Sequence, residues 1–295
     1  MAVSAEVTRR KCAVTGAAGY VGSRVVAYMR SHGWDVMELT RSGGAGRQPG
    51  TVSYSLENGI SPDALQGVEV LIHCAYDFKL DVQEDIWRIN VEGATRLFDA
   101  ARRAGAKRTV CVSSISAYDG CRSLYGKAKL AIEAEALKAG GVVVRPGLVY
   151  GKEAGGMLGS LNRIMASAKV VPLIGSGAWM MYLVFEDDLC ALIHRLCDVN
   201  GNQPPRIITA ASAHGKSFRE LLSELAQSSG NSPIFIPVPW RIVWVGLRLL
   251  ETLGFSMGFR SDSVLGLVYP NPEPSFRELQ EFGMTFRDFS PGLLK

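Results

Sequence analysis

Short apolar runs alternate with amphipathic stretches over the first two-thirds of the chain. The short runs are typical of buried strands, and the stretches between them carry apolar residues at helical spacing. Strands that alternate with helices form a parallel sheet with helices on both faces. The predicted strands are Lys11–Thr15, Asp35–Thr40, Val68–His73, Thr109–Ser113, Val142–Arg145 and Arg206–Thr209, and the predicted helices are Val21–Ser31, Ile86–Ala104 and Tyr125–Leu137.

The pattern changes after Gly151, where glycine and proline become frequent. These residues favour turns, so Gly151–Gly159 and Pro172–Gly177 predict loop segments. Helical spacing returns further along the chain and predicts a second, mainly helical region. The helices predicted there are Ser217–Gln227 and Trp240–Leu253, and the proline-rich segment Tyr269–Pro274 predicts extended chain.

The composition is that of an ordinary globular protein. The 295 residues are 47% hydrophobic and 20% charged, with a net charge of +4, which excludes wholesale disorder. Lysines and arginines form no dense run, so nucleic acid is not an expected partner. We expect no transmembrane segment, because no uncharged apolar stretch reaches about 18 residues, and no secretory signal. The six cysteines form no regular framework, so we expect reduced thiols in a cytoplasmic protein.

A glycine-rich turn, TGAAGYVG at residues 15–22, follows the first predicted strand and opens the first predicted helix. Gly16 permits a tight turn, Gly19 lets backbone amides approach a pyrophosphate, and Gly22 lets the helix pack closely on the sheet. The helix start offers N–H groups and the positive end of a dipole to phosphates. Strand, turn and helix together predict a dinucleotide-binding loop.

The expected fold class is therefore α/β, a doubly wound parallel Rossmann-type sheet with a smaller, mainly helical C-terminal substrate lobe. The change of pattern near Gly151 places the domain boundaries. The dinucleotide-binding domain is predicted over residues 1–150, with residues 182–212 returning to it. The substrate lobe is predicted over residues 151–181 and 213–295.

The end of the second predicted strand indicates which dinucleotide the loop would hold. In NAD-binding units a carboxylate there receives the adenosine ribose hydroxyls. This chain reads Leu39-Thr40-Arg41-Ser42 and has no acid at that place. A guanidinium can hold a 2′-phosphate through paired, charge-assisted hydrogen bonds. Arg41 therefore favours NADP, with NAD as the alternative and a solvated surface arginine as the plainer interpretation.

Tyr125 and Lys129 lie four residues apart in the segment YGKAK, so a helix places both on one face. A phenol is ordinarily a poor acid–base group at neutral pH, and a nearby ammonium favours its ionised form. The pair is therefore a candidate to exchange the proton of an alcohol while hydride moves to or from a nicotinamide. Ser114 follows the strand Thr109–Ser113 and is a candidate to hydrogen-bond the substrate oxygen.

Further motifs extend over nearly the whole chain: HCA at 73–75, NVEGA at 90–94, SSISAY at 113–118, RPGLVYG at 145–151, EDDL at 186–189 and ELQEFGMTF at 278–286. Together with TGAAGYVG and YGKAK, they make the chain resemble the extended short-chain dehydrogenase/reductase superfamily, in its epimerase/dehydratase-like branch. The resemblance implies that Tyr125 is the acid–base residue, that Lys129 binds the nicotinamide ribose and tunes Tyr125, and that Ser114 orients the substrate.

The resemblance also implies a full set of cofactor contacts, from the glycine-rich turn and from the ends of the strands. Relatives often dimerise through helices in the region of Ile86–Ala104, so a homodimer is an open expectation. No metal is expected, because apolar residues interleave with Cys190, His194 and Cys197, the one spacing that resembles a ligand set. The implied cofactor-binding residues are Gly16, Ala18, Gly19, Tyr20, Val21, Arg41, Ser42, Cys74, Ala75, Tyr76, Ser113, Tyr125, Lys129, Pro146, Gly147 and Val149.

Three places depart from the family's pattern. Many relatives carry an aspartate after the third strand that touches the adenine, whereas this chain reads Tyr54-Ser55-Leu56. Sugar 4,6-dehydratases carry an Asp-Glu pair where this chain has Ile115 and Ser116, so loss of water of that kind is not expected. Ala178–Tyr182 reads AWMMY, which suits a ring or an aliphatic chain better than a sugar diphosphate. Ordinary core is the alternative interpretation of that segment.

The predicted helix Trp240–Leu253 carries an apolar stripe. Its functional interpretations are a wall of the substrate site and a patch that rests on a membrane surface. Packing on neighbouring elements is the interpretation we favour. The stripe consists of Trp240, Val243, Trp244, Leu247 and Leu250.

The leading hypothesis is an oxidoreductase that transfers hydride between NADP(H) and a ketone or secondary alcohol of a small, fairly apolar substrate. The first alternative is an epimerase of a sugar or nucleotide sugar that uses the same Ser114, Tyr125 and Lys129. The second is a cofactor-binding sensor, or a subunit of a complex, without chemistry. The intact set argues against it, because a pure binder has no need of the tyrosine.

Overall fold

The computed structural model describes residues 9–41, 50–152, 156–199, 204–253 and 260–294. The strands in these ranges are β1 (Lys11–Thr15), β2 (Asp35–Thr40), β3 (Thr51–Ser53), β4 (Val70–His73), β5 (Arg108–Val112), β6 (Val142–Pro146), β7 (Leu148–Tyr150), β8 (Val170–Ile174), β9 (Met180–Met181), β10 (Leu183–Phe185), β11 (Ile207–Ala210), β12 (Lys216–Ser217) and β13 (Ile234–Val238). The α-helices are α1 (Tyr20–Ser31), α2 (Gln83–Ile86), α3 (Glu92–Arg103), α4 (Leu124–Lys138), α5 (Gly156–Ser167), α6 (Glu186–Leu196), α7 (Phe218–Ser228), α8 (Trp240–Thr252), α9 (Ser261–Val268) and α10 (Arg277–Glu281).

Seven of the described strands form one sheet in the order β11-β6-β5-β4-β1-β2-β3. Strand β1 pairs in parallel with β2 and β4, β2 pairs with β3, and β4 pairs with β5. Parallel neighbours require long crossover connections, and helices supply them here. The predicted α/β class with a Rossmann-type parallel sheet and flanking helices is confirmed.

The chain divides into two compact units. The first contains Met1–Val112, Ile132–Val143 and Cys190–Arg206, and the second contains Ser113–Ala131, Val144–Leu189 and Ile207–Lys295. The predicted boundaries of a dinucleotide-binding domain and a substrate lobe concern function and stay a prediction.

The first unit is built on strands that are apolar on both faces, as expected for a parallel sheet covered by helices. Burial, with Asp35 nearby, raises the pKa of the Cys12 thiol to about 12, so this cysteine is an unreactive core residue. The apolar residues with no solvent exposure in β1 and β4 are Cys12, Ala13, Val14, Val70, Leu71 and Ile72.

The second unit has its own core, around the ring of Tyr150. This ring meets Phe185 and Phe289 edge-on, at centroid distances of 5.4 and 5.0 Å, and its hydroxyl donates to the Asp288 carbonyl oxygen. Burial, and next the charge of Asp188, raises the pKa of Tyr150 to about 12, so this phenol is structural. The two-stranded sheets β10–β7, β12–β9 and β13–β8 accompany helices α5 and α7 to α10 in this unit.

Two predicted loops contain regular structure. Helix α5 begins at Gly156, inside the predicted loop, because buried Leu158 and Met165 recur at helical spacing and tertiary packing outweighs glycine propensity. Strand β8 replaces the first part of the predicted turn Pro172–Gly177. Its partner is β13 in a two-stranded sheet, an edge position where the missing N–H of Pro172 is tolerated.

One predicted helix is interrupted. The stretch predicted over Ile86–Ala104 contains a π-helical segment, Trp87–Val91, between α2 and α3. Such segments frequently accompany functional sites. None of the helices in the described ranges has the length and apolar character needed to span a bilayer.

Candidate active site

The turn between β1 and α1 has little room for side chains. Gly16 has a φ of +66°, which favours glycine, and a Cβ there would lie 3.0 Å from the backbone of Ala75. A Cβ on Gly22 would collide with the carbonyl oxygen of Gly16, so the first turn of α1 lies directly on the loop. The Gly19 N–H donates to the Gly16 carbonyl oxygen at 2.8 Å, which closes the turn.

The start of helix α1 suits an anion. Gly19 is its N-cap and offers no side chain to cap the first turn, and that turn carries no acidic residue. Ala18 and Gly19 are exposed, so the positive end of the helix dipole faces outward. Such a helix start binds phosphates. The turn therefore fits the pyrophosphate of a dinucleotide.

A threonine that the sequence analysis missed fixes the turn to the neighbouring strand. Thr15 Oγ1 lies 3.0 Å from His73 Nδ1 and accepts hydrogen bonds from the N–H groups of Cys74 and Ala75. Both Thr15 and His73 are fully buried. These contacts hold the backbone after β4 beside Gly16, where the resemblance places cofactor contacts at Cys74, Ala75 and Tyr76.

Arg41 meets a carboxylate that the sequence analysis did not foresee. Its Nη1 lies 3.6 Å from Asp77 Oδ2, and its side chain is 72% exposed. Asp77 is held in place because its N–H donates to Asn90 Oδ1 at 2.7 Å. Asn90 is fully buried within the π-helical segment, so that segment positions the acid beside Arg41. Ser42, the other residue predicted there, lies outside the described residues.

Backbone hydrogen bonds to β6 fix the segment that follows β5. The Ser113 N–H donates to the Val144 carbonyl oxygen at 2.7 Å, and the Ile115 N–H donates to that of Pro146 at 2.9 Å. Between them, the half-buried Ser114 accepts the N–H of Ser116 at its Oγ, at 3.1 Å. A hydroxyl also carries one donor hydrogen, and this contact leaves the hydrogen of Ser114 for another acceptor.

The start of helix α4 is closed by groups of the chain itself. The Asp262 carboxylate accepts the N–H groups of Leu124 and Tyr125 at 2.7 and 3.1 Å. Ser123 Oγ accepts the N–H of Gly126 at 3.1 Å, as an N-cap residue does. The sequence analysis missed Asp262, which comes from α9. The backbone that carries Tyr125 is therefore fixed.

Tyr125 and Lys129 lie one turn apart on α4, as their spacing predicts. Tyr125 is half-buried and Lys129 is 3% exposed. Gly126, between them, lets the helix approach its neighbours, since a Cβ there would lie 2.5 Å from the Ser116 carbonyl oxygen. The phenol thus lies on a rigid helix with a buried ammonium-bearing residue one turn further along.

The backbone at Gly147 is in close contact with Tyr182. Leu148 donates its N–H to the Tyr182 carbonyl oxygen at 2.8 Å, and a Cβ on Gly147 would collide with that oxygen. The Tyr182 ring lies 5.2 Å from the ring of Phe276. In the same AWMMY segment, Met180 is 42% exposed, whereas Trp179 packs against the core of the second unit. The segment is therefore partly core and partly surface.

The Cys190, His194 and Cys197 spacing has a structural explanation. Both cysteines are buried, and the His194 ring lies 4.8 Å from that of His32. Burial, and next the neighbouring His32, lowers the pKa of His194. Across the part of the chain that the structure describes, no group of three His, Cys, Asp or Glu residues is arranged to hold a metal.

The predicted site residues are distributed over both units. The first unit carries Gly16, Ala18, Gly19, Tyr20, Val21, Arg41, Cys74, Ala75 and Tyr76. The second carries Ser113, Ser114, Tyr125, Lys129, Pro146, Gly147 and Val149.

Comparison with known proteins identifies a family. The model of the NAD dependent epimerase/dehydratase family matches residues 12–211, more than half of the chain. The chain is 31% identical over 195 residues to a ceramide reductase of Caulobacter vibrioides, which covers 61% of this chain and 59% of that protein. It is 31% identical over 114 residues to a putative dihydroflavonol 4-reductase of Synechocystis, which covers 35% of this chain and 32% of that protein. The chain thus spans less than two-thirds of the length of each.

A solved structure shares the fold. MoeE5 in complex with UDP-glucose and NAD aligns with a TM-score of 0.66 and 23% identity, covering 88% of this chain and 96% of that chain.

Proposed function

The chain belongs to the NAD dependent epimerase/dehydratase family, and from that premise we propose that it is an NADP-dependent oxidoreductase. Its substrate would be a ketone, or the corresponding secondary alcohol, of a small and fairly apolar molecule. The observation that carries the proposal is the fixed start of α4. Asp262 and Ser123 hold the turn that bears Tyr125, with buried Lys129 one turn further along.

The proposed roles divide between holding the dinucleotide and handling the substrate. The turn at Gly16–Gly22 would hold the pyrophosphate, and Arg41 would hold the 2′-phosphate. When bound, a nicotinamide dinucleotide supplies the exchange of hydride. Ser114 would donate a hydrogen bond to the substrate oxygen, and Tyr125 Oη would give or take the proton on that oxygen. Lys129 would bind the nicotinamide ribose and favour the ionised form of Tyr125.

The apolar character of the substrate rests on the segment around Tyr182. Tyr182 pairs with Phe276, and Met180 beside it is exposed. Rings and thioethers suit an apolar ligand better than a sugar diphosphate. Two relatives are named as reductases, which supports reduction. MoeE5 was solved with NAD, so it lends no support to NADP. The choice of NADP over NAD therefore rests on Arg41.

The test measures loss of NADPH absorbance when the purified protein meets a panel of ring and aliphatic ketones. We expect stoichiometric oxidation of NADPH with at least one ketone. Tyr125→Phe should lower kcat about 10²–10⁴-fold, the usual contribution of a positioned acid–base group, with no change in the Kd for NADPH. Tyr28→Phe, which changes a half-buried tyrosine of α1, is the matched control and should retain activity.

Other outcomes would identify the rival functions. Interconversion of a nucleotide sugar without net use of NADPH would indicate an epimerase. Full biological activity of Tyr125→Phe, with NADPH still bound, would indicate a cofactor-binding protein without chemistry. A homodimer through the region around residues 86–104 and a cytoplasmic location stay predictions of the sequence.

A further inference from the structure

Helix α8 has two apolar faces. Trp240, Val243 and Leu247 pack against the core of the second unit, as the predicted stripe requires. The opposite side is also apolar, and it is exposed to solvent, with spacings of three and four residues that place its members together. This outer face consists of Ile242, Val245, Leu249 and, at the C-terminal cap, Leu253, whose exposures are 64%, 48%, 59% and 71%.

Exposed apolar side chains are concentrated in this part of the chain. Strand β13 ends one residue before the N-cap of α8. Ile234 and Ile236 of β13 are 67% and 49% exposed, and Val170, paired with Ile234 in β8, is 52% exposed. Scattered single apolar residues need no explanation, but a concentration of them marks an interaction surface.

The charges of α8 show which kind of surface it would meet. Arg241 and Arg248 are exposed and lie two turns apart, so they occupy one flank of the outer face. The single acid of α8 is Glu251, whose side chain is 14% exposed. Glu251 accepts the N–H and the hydroxyl of Ser261, each at 2.7 Å. The mostly buried Glu251 also lies 3.7 Å from Arg248, between its Oε2 and the arginine Nη1. The outside of the helix therefore presents apolar groups together with Arg241 and the 56%-exposed side chain of Arg248.

We propose that the outer face of α8 rests on an anionic lipid surface. A helix with an apolar face and flanking arginines lies in the interface plane, with its apolar side chains at the acyl boundary and its cations on lipid phosphates. A second copy of this face would bring no further carboxylate to the arginines, since its Glu251 is mostly buried and already binds Ser261 and Arg248. The proposal does not depend on the proposed reaction.

The test measures partition of the purified full chain onto vesicles by co-sedimentation. Vesicles of phosphatidylcholine mixed with phosphatidylglycerol are compared with phosphatidylcholine alone, and we expect stronger partition onto the mixed vesicles. The double variant Ile242→Ser with Leu249→Ser should lose about tenfold or more in partition, because it removes apolar groups that would be buried. The double variant Arg241→Gln with Arg248→Gln should lose about fivefold per arginine, on the mixed vesicles alone.

Ile164→Ser is the matched control, since Ile164 of α5 is 52% exposed but lies outside α8, and it should partition as the parent does. Circular dichroism and thermal midpoints show that each variant is folded. Absence of partition onto any vesicle, equal partition onto both kinds, or parental partition of the Ile242/Leu249 variant would each overturn the proposal. Concentration-dependent dimers in buffer that the Ile242/Leu249 variant abolishes, without vesicle binding, would assign the face to a second copy instead.

Discussion

Helices α1 and α4 begin in opposite ways. The first turn of α1 has a glycine cap, no side-chain cap and no acidic residue. The first turn of α4 has its N–H groups bound by Ser123 and by the carboxylate of Asp262. Both helix starts carry the same partial positive charge and the same need for acceptors.

The difference suggests a separate role for each helix start. A helix start whose cap and first turn carry no acid can receive a ligand's phosphate, and its glycines make room for the approach. A start that the chain fills with its own carboxylate is rigid, and a side chain such as Tyr125 on that turn is held in one place. We therefore propose that α1 serves binding and α4 serves positioning, although the two helix starts have similar electrostatics.

The largest expected effect comes from blocking the close approach of helix α1 to the backbone of Gly16. Gly22→Val places side-chain atoms where the Gly16 carbonyl oxygen lies, so the turn must move, and we expect at least about 100-fold weaker NADPH binding and a lower thermal midpoint. Calorimetric titration with NADPH measures the loss of affinity. Ala27→Val, on an exposed position of the same helix, is the control. If Gly22→Val binds NADPH as tightly as the parent does, the close approach of Gly22 to Gly16 is not needed for cofactor binding.

Opening the start of α4 should have the next largest effect. Asp262→Ala removes the acceptor of two N–H groups, and we expect a loss of about 1–2 kcal/mol in the free energy of unfolding. Because the turn that bears Tyr125 loosens, kcat should fall while the Kd for NADPH stays constant. Asp262→Asn keeps an acceptor oxygen, so its free energy of unfolding and its kcat should lie between those of the parent and those of Asp262→Ala. An equal effect of Asp262→Ala on NADPH binding would contradict the separation of roles.

A carboxylate at the start of α1 should make it resemble α4. Gly19→Asp supplies an anion at the N-cap, which repels phosphate and competes for the same N–H groups, so NADPH affinity should fall about tenfold. Stability without cofactor should be unchanged or slightly higher, because aspartate is a better cap than glycine. Gly19→Asn is the control of equal size without charge. If both variants lose the same affinity, size rather than charge is responsible.

The smallest expected effect concerns Arg41, which is largely exposed and paired with Asp77. Arg41→Gln should weaken NADPH binding about fivefold and leave NADH binding unchanged, since contacts of exposed charges are modest. Asp77→Asn should strengthen NADPH binding slightly, because its carboxylate no longer competes for the guanidinium. Titrations of each variant with NADPH and with NADH measure the two affinities. An equal change for the two cofactors would remove Arg41 from cofactor choice.

Part of the site could be predicted because its causes are local. Gly16 requires a positive φ within a short turn between a strand and a helix, and a sequence of eight residues displays that requirement. The placement of Tyr125 and Lys129 on one face follows from the helical period alone. The alternation of apolar runs likewise predicted the parallel sheet, because burial on both faces requires apolar strands.

Other features could not be predicted because their causes lie far away in the chain. Asp262 caps a helix that starts 138 residues earlier, and Asp77 reaches Arg41 from the segment after β4. The first turn of helix α5, Gly156–Gly159, was predicted as part of a loop because glycines dominate the local sequence, whereas packing of Leu158 makes it helical. The outer face of α8 shows the same limit, because periodicity predicted one stripe and only packing shows which apolar residues remain outside.

The sequence by itself determined the alternation of strands and helices in the parallel sheet, the glycine turn after β1 and the tyrosine–lysine spacing, since each depends on backbone preferences within a few residues. The tertiary structure alone decided that the start of α4 receives a carboxylate from a distant segment. A capping carboxylate, an ion pair or a close backbone approach joins groups whose separation along the chain sets no pattern. Only the folded arrangement brings such groups within hydrogen-bonding distance.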